Sequence, residues 1–382
     1  MLSKRIDSSS LAKAALLLLS IFLGLPRGMS QVVNPAMPDS SGGEKLADLR
    51  IGAYLDVYAG WFSRENAAGE VPYFVSMNQS RQASVNLALL DFRYQKNRLR
   101  ARFMPGFGSY MNSNYSKEPG SLGYLVEANA GYCLWPEKGI WLDAGVLSSP
   151  YSNESCFSRD HLMYSRSLAP EYVPYYLSGM KLTLPLSAKL TLYLYGLNGW
   201  QQIKDNNRRP ALGTQLEWRG EKNLLNWNTY LGDERNPVGG LKEASQRMRW
   251  FSDVYWVFNP DGKCSVTACA YAGMQEYSSL LRQHRAVWWQ VNGIVRYRFS
   301  PVHSLSARLE YFSDPDAAIV LPQDGKDDFR LGSAGLCWNV SAGKNALFRL
   351  EGRQFFSDRK LFGEGKSSQS PQWLLSGFTI WF

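Results

Sequence analysis

The chain has 382 residues, of which 45% are hydrophobic and 14% aromatic, and its formal net charge is +9. That length fits two ordinary domains or one large all-β unit. The mild basic excess, with no block of five or six Lys or Arg, lacks the electrostatic footprint of a nucleic-acid binder and excludes that class of partner.

The N-terminus places the chain in an export pathway. Lys4, Arg5 and Lys13 flank the start of an apolar run over 14–25, and Gly28-Met29-Ser30 offers a small-residue cleavage site before Gln31. This is the pattern of a cleavable signal peptide over 1–30, and the run is too short for a spanning helix, which needs about 20 apolar residues. No Cys follows the run, so a lipoprotein anchor is not indicated. Loss of 1–30 removes four basic residues and Asp7, a net of +3, and leaves the mature chain near +6 of the original +9. Residues 31–48, with Pro35, Pro38, Gly42 and Gly43, read as a flexible periplasmic lead-in to a barrel over 49–382.

From residue 49 no helical period is found. Ile51, Ala53, Leu55, Val57, Ala59 and Trp61 alternate with Gly52, Tyr54, Asp56, Tyr58 and Gly60, the two-residue period of a strand with one apolar face. Similar stretches fall at 83–94, 99–107, 124–134, 140–146, 176–184, 190–198, 211–218, 225–232, 248–258, 264–274, 286–299, 305–312, 330–338, 346–356 and 373–382. This predicts about sixteen strands of a transmembrane antiparallel up-and-down β-barrel, an even number as bacterial barrels require. Fourteen is the alternative, because 211–218 and 329–338 alternate least clearly. Connections alternate too. Short ones, such as Gln95-Lys96-Asn97 and Pro136-Glu137-Lys138-Gly139, separate long polar ones at 63–80, 111–120, 149–175, 201–209, 233–247, 276–284, 314–328 and 358–372. Short periplasmic turns and long outer loops are the outer-membrane arrangement, with both termini in the periplasm. Soluble sandwiches and propellers also alternate. The loop rhythm, the aromatic strand ends Trp61, Tyr132 and Trp218, and the apolar terminus Phe378, Ile380, Phe382 favour the barrel in lipid.

Five cysteines, Cys133, Cys156, Cys264, Cys269 and Cys337, are an odd number in an oxidising compartment and read as small packing residues, with a Cys133–Cys156 disulfide left open.

Parity assigns the interior. Arg98, Arg100 and Arg102 share one strand face, and an Arg on the lipid side near the midplane costs about 2–4 kcal/mol, so the three are expected to look inward. The same argument places Glu127, Asp143, Arg247, Arg249, Asp253, Arg308, Glu310, Arg349, Glu351 and Arg353 on the lumen face as pore-lining residues, joined there by Asp56 and Lys181. A barrel of this size is too wide for side chains alone to fill, so a charged interior predicts an aqueous path. The long loop 149–175, with Glu154, Arg159, Asp160, Arg166 and Glu171, could fold inward opposite the arginine row and set up a transverse field. His161 and His284, with Asp160 or Asp314, are the only candidates for a rim enzyme, and no Ser–His–carboxylate convergence supports one. No Cys or His spacing suggests a metal, and no cofactor is implied.

Several segments carry a family likeness: Glu127-Ala128-Asn129-Ala130-Gly131, Trp141-Leu142-Asp143-Ala144-Gly145, Leu197-Asn198-Gly199-Trp200-Gln201, Arg247-Met248-Arg249-Trp250-Phe251, Arg308-Leu309-Glu310-Tyr311-Phe312-Ser313-Asp314 and Arg349-Leu350-Glu351-Gly352-Arg353. Across nearly the whole mature chain the sequence resembles the OmpL-like outer-membrane β-barrel porins. The resemblance implies a porin-type barrel in outer-membrane lipid and fixes no substrate and no catalytic residues. Gly377-Phe378-Thr379-Ile380-Trp381-Phe382 resembles the C-terminal signal read by the barrel-assembly machinery, with Phe378, Ile380 and Phe382 carrying it. The expected function is passive diffusion of small polar solutes, biased towards anions by the arginines. The competing reading is a closed barrel with a structural, adhesive or surface-binding role, and homo-oligomerisation is left open.

Overall fold

A computed structural model describes residues 48–236, 245–278, 283–323, 325, 327–363 and 369–382. The expected signal peptide and most of the lead-in lie outside the described residues. Sixteen antiparallel strands close into one barrel in which each strand pairs with its neighbours in sequence and β1 pairs with β16. They are β1 Leu49–Phe62, β2 Gln82–Lys96, β3 Leu99–Phe107, β4 Leu125–Trp135, β5 Ile140–Ser148, β6 Tyr176–Pro185, β7 Leu190–Leu197 and β8 Ala211–Arg219. The second half comprises β9 Asn223–Asp233, β10 Gln246–Phe258, β11 Cys264–Ser278, β12 Gln283–Arg298, β13 His303–Asp314, β14 Phe329–Ser341, β15 Ala346–Phe356 and β16 Gln372–Trp381. The two stretches of least clear alternation are the strands β8 and β14, so the count is sixteen rather than fourteen.

The period-two pattern explains which face meets lipid. Leu55, Leu90, Phe103, Met180, Leu212, Leu309 and Leu336 are exposed on the outer surface, while Tyr54, Asp56 and Tyr58 on the alternate positions of β1 are buried inside. Exposed aromatics lie near both ends of the strands, with Tyr132, Trp135, Trp218 and Trp338 at the short-turn end and Trp61, Phe107, Trp289 and Phe356 at the other. Such girdles belong at the two membrane–water interfaces. One register shift, between Asp56 and Val57 against β2, inserts Asn86 as an extra residue. The bulge turns Asn86 inward, where its amide donates to Asp56 Oδ2 at 2.8 Å.

The connection expected to be long at 276–284 is not. β11 runs to Ser278 and β12 begins at Gln283, so four residues at most join two of the longest strands, and the polar residues taken for loop belong to the hairpin. Arg285 there donates to Glu276 across the pair.

Described parts of several other long loops fold inward. Helix α1 (Ser109–Asn114) and the chain around it supply Tyr110, Met111 and Tyr115 to an apolar cluster with Leu87, Met104 and Val126. A larger cluster joins Val71, Phe74 and Met77 of loop 63–81, the apolar residues of loop 149–175, Ala318 and Val320, and Leu361 and Phe362 to wall residues such as Phe312, Phe355 and Trp373. The loop end of the barrel therefore has a packed apolar core.

The β1–β16 pairing that closes the cylinder runs from Phe62↔Trp373 to Tyr54↔Trp381 and ends in one further pair of bonds at Phe382. Ala53 N–H donates to the Phe382 carbonyl at 3.0 Å and Phe382 N–H donates to the Ala53 carbonyl at 3.1 Å. Deletion of Phe382 removes these last two bonds of the seam and a lipid-facing ring. Folding of the purified chain into lipid vesicles, followed by the mobility shift of the unheated barrel on a gel, is expected to slow several-fold; an unchanged rate would contradict the seam's importance.

Candidate functional site

Loop 149–175 has too many apolar side chains to lie in water. Leu162, Met163, Tyr164, Leu168, Ala169, Tyr172 and Val173 are all buried inside the bore. The segment contains only the single turn α2 (Leu168–Glu171) and a 3₁₀ turn at Ser158–Asp160, so most of its backbone N–H and C=O groups lack partners within the loop. Buried backbone groups must be satisfied, and the barrel wall does it with charge.

Carboxylates take the N–H groups. Glu351 accepts from Tyr164 N and Ser165 N, both at 2.8 Å, and from the Ser165 hydroxyl at 2.5 Å. Glu310 accepts from Leu168 N at 2.5 Å, and Asp253 accepts from Ser152 N at 2.6 Å. Arginines take the carbonyls. Arg349 donates to Ser158 O at 2.5 Å, Met163 O at 2.9 Å and His161 O at 3.0 Å. Arg308 donates to Ser165 O at 2.7 Å and Arg353 to Arg166 O at 2.9 Å. These wall groups also pair with each other, Arg308 with Glu310 at 3.1 Å and Glu351 at 3.0 Å, and Arg353 with Glu310 at 2.5 Å, at 0% side-chain exposure throughout. Such charges are held only where pairing and hydrogen bonds replace water.

Shape reinforces charge. The Tyr164 ring lies directly on Gly377 of β16, where a Cβ would stand 1.9 Å from Tyr164 Cζ, and its hydroxyl donates to Asp56 Oδ1 at 2.9 Å. Met163 rests in the same way on Gly335, and the Tyr151 hydroxyl on Gly213, at 3.2 and 3.1 Å from the position of a Cβ. Any larger residue at Gly377 would push the loop off the wall.

The residues expected to line the lumen thus separate into groups. Asp253, Arg308, Glu310, Arg349, Glu351 and Arg353 point inward, but the loop covers them, and they form its anchor instead of facing an open path. Arg249 is also inward and enclosed, between Trp200 and Trp288. Arg247 sits at the irregular outer end of β10, with a guanidinium bond to the Gln246 carbonyl. Arg98 departs from the expected row. It lies in the turn before β3, outside the strand whose parity was used, and its side chain bonds to Tyr132 on the outer face.

Arg100 and Arg102 are on the inner wall, and neither is a free cation. Arg100 forms a fork with Asp143 at 2.6 and 2.5 Å, while Arg102 holds Asp91 at 2.9 Å and Glu127 at 2.8 Å. Lys181 on β6 approaches the same Asp143 at 3.8 Å, Arg93 pairs with Asp91, and Arg219 with Glu217. Within these pairs the cations are the outer partners: Arg100, Lys181 and Arg219 keep 31%, 25% and 22% of their side-chain surface, whereas Asp143 and Asp91 keep 2% and 1%. Lys181 stands on the inner wall as expected, whereas Arg93, Asp91, Arg219 and Glu217 were missed as members of this wall because no triplet of like charge marks them. His161, expected in an outer loop, is buried in the bore, where its Nε2 accepts from Ser155 N at 2.9 Å. All five cysteines are free thiols, so Cys133 and Cys156 are not joined. No group of three or more metal-ligating side chains occurs among the described residues. Phe378, Ile380 and Phe382 are exposed on the lipid face.

Glu351→Ala leaves Arg308 short of a buried partner and three loop donors without an acceptor, a loss on the order of 3–5 kcal/mol. Limited proteolysis is expected to open 149–175 in this variant and in Gly377→Val while the barrel stays intact. Protection equal to wild type in both would contradict the anchor.

No curated protein matches the chain in sequence. Solved structures share the fold at low identity. The outer membrane channel DcaP of Acinetobacter baumannii aligns with a TM-score of 0.60 at 11% identity, over 89% of this chain and 99% of that one. An anion-selective porin from Comamonas acidovorans aligns at 0.55 and 7% identity over 87% and 99%. The trimer form of OmpT from Vibrio cholerae aligns at 0.56 and 10% identity over the same shares of the two chains, 87% and 99%. With the closed sixteen-strand cylinder and the inward loop established, the family model described as "Putative beta-barrel porin-2, OmpL-like" matches residues 48–381, and the chain belongs to that family of outer-membrane porins.

Proposed function

We propose that small polar solutes diffuse passively along the β2–β8 side of the bore, past Arg93, Arg100, Arg102, Glu127, Asp143, Lys181 and Arg219, with a preference for anions. The observation that carries this reading is the layering of the ion pairs. Five cations meet four carboxylates, Asp91, Glu127, Asp143 and Glu217, and the cationic heads keep more exposure than the carboxylates behind them. Water on this side meets positive charge although the formal charges nearly balance, and a low-dielectric wall focuses that field. Loop 149–175 keeps the opposite wall dry. The family and the anion-selective porin of similar fold agree with the reading. It requires no catalysis and no cofactor, only removal of a signal over 1–30, recognition of Phe378, Ile380 and Phe382 by the assembly machinery, and insertion into outer-membrane lipid. Assembly into a homo-oligomer fits the trimer form of OmpT, whose fold is similar.

A closed structural or adhesive barrel is the second reading, favoured by the apolar clusters that fill the loop end. Planar bilayers separate the two: stable conductance steps support diffusion, and silence supports the closed barrel. Under a KCl gradient the wild type is expected to give a reversal potential of anion-selective sign. Arg100→Gln with Arg102→Gln is expected to move it towards cation selectivity, and an unchanged potential would overturn the proposed bias.

A further inference from the structure

Arg249 differs from the arginines that anchor the loop. Arg308, Arg349 and Arg353 bond to carboxylates or to loop carbonyls, whereas Arg249 bonds only through Nε, to Gln275 Oε1 at 2.8 Å. Its terminal nitrogens Nη1 and Nη2 have no acceptor, and no carboxylate lies within ion-pair distance, among the described residues. The neighbouring acid, Glu234, instead accepts the Tyr230 hydroxyl. The residue is only 5% exposed, so a cation with no carboxylate partner among the described residues sits in a nearly dry place.

Its surroundings are built for a flat molecule. The guanidinium lies 5.0 Å from the Trp200 ring centre and 5.7 Å from that of Trp288. Tyr230 and Phe251 meet Trp200 edge-on at 4.9 and 5.1 Å. Trp288 is fully buried and its Nε1–H also lacks an acceptor. The indole is held flat over Gly273, where a Cβ would come within 2.1 Å of Trp288 Cζ2. Gln275, in turn, is fixed by the carbonyls of Arg247 and Glu276, so Arg249 is held in place. A rigid fork of charged N–H groups and an indole N–H, both unsatisfied and set among aromatic faces, match one chemistry: a carboxylate on a planar apolar body.

We propose that Arg249, Trp288 and Trp200 form a binding subsite for planar carboxylates on the β9–β12 wall near the loop end of the bore. The carboxylate takes the Nη1/Nη2 fork and the Trp288 Nε1–H, and the ring lies against Trp200. The subsite deepens the diffusion reading by naming a solute class, yet its test involves no ion flow, so either can fail alone.

Calorimetric titration of the purified full chain in detergent with benzoate, acetate and inorganic phosphate tests it. Benzoate is expected to bind at least tenfold more tightly than acetate or phosphate. Arg249→Gln is expected to weaken benzoate at least tenfold, with Arg249→Lys intermediate because it keeps charge and loses the fork. Gly273→Ala, which drives the Trp288 ring aside and leaves Arg249 in place, is expected to weaken benzoate several-fold while the gel mobility of the folded barrel is unchanged. Absence of benzoate binding, equal binding of benzoate and acetate, or wild-type affinity in Arg249→Gln would each overturn the subsite.

Discussion

The interior depends on one requirement: a loop without regular structure, once inside a barrel, must have its main chain hydrogen-bonded by something other than water. Glu351, Glu310 and Asp253 take the N–H groups of loop 149–175, and Arg349, Arg308 and Arg353 take its carbonyls. Charged groups suit this role because a charge-assisted bond is roughly twice as strong as a neutral one, and because each charge is also neutralised by a neighbour. A ladder of alternating signs on β13 and β15 is thus a template for a loop backbone. Everything on that side of the bore follows from it, including the burial of charges that would otherwise face water.

The consequence for transport is an asymmetric lumen. One wall spends its charges on the loop, and the β2–β8 wall spends them on side-chain pairs whose cations stay wet. The two uses of the same residue types differ in what the charge meets, loop main chain in one case and a side chain of opposite sign in the other. In the diffusion reading proposed above, selectivity is a matter of layering. A carboxylate behind an arginine neutralises it at long range, and the more exposed guanidinium is what a passing anion meets at short range.

The barrel was legible in the sequence because two-residue alternation and the alternation of loop lengths are both local signals. Strand positions followed closely, and the inward direction of Arg308, Glu310, Arg349 and Arg353 came from parity alone. An inward fold of loop 149–175 was expected opposite the arginine row, but that it would cover the β13 and β15 charges was not legible, because such burial is a long-range event. Two traces of it were nevertheless present: a loop rich in Leu162, Met163, Tyr164, Leu168 and Val173 is too apolar for an outer surface, and glycines at inward positions 213, 335 and 377 leave room for something to lie on the wall. Parity failed at Arg98, where the chain is a turn rather than a strand. Polarity failed at 276–284, where two long strands carry polar residues to their very ends.

Reagent accessibility measured through the current tests the central claim most directly, that solutes pass on the β2–β8 side and the β13–β15 wall stays sealed by the loop. In a background with the native cysteines replaced, Thr183→Cys on β6 and Ser333→Cys on β14 place one thiol on each inner wall. A charged thiol reagent added during bilayer recording is predicted to change the current through Thr183→Cys and leave that through Ser333→Cys unaltered. A fast response at Ser333→Cys with none at Thr183→Cys would contradict the account.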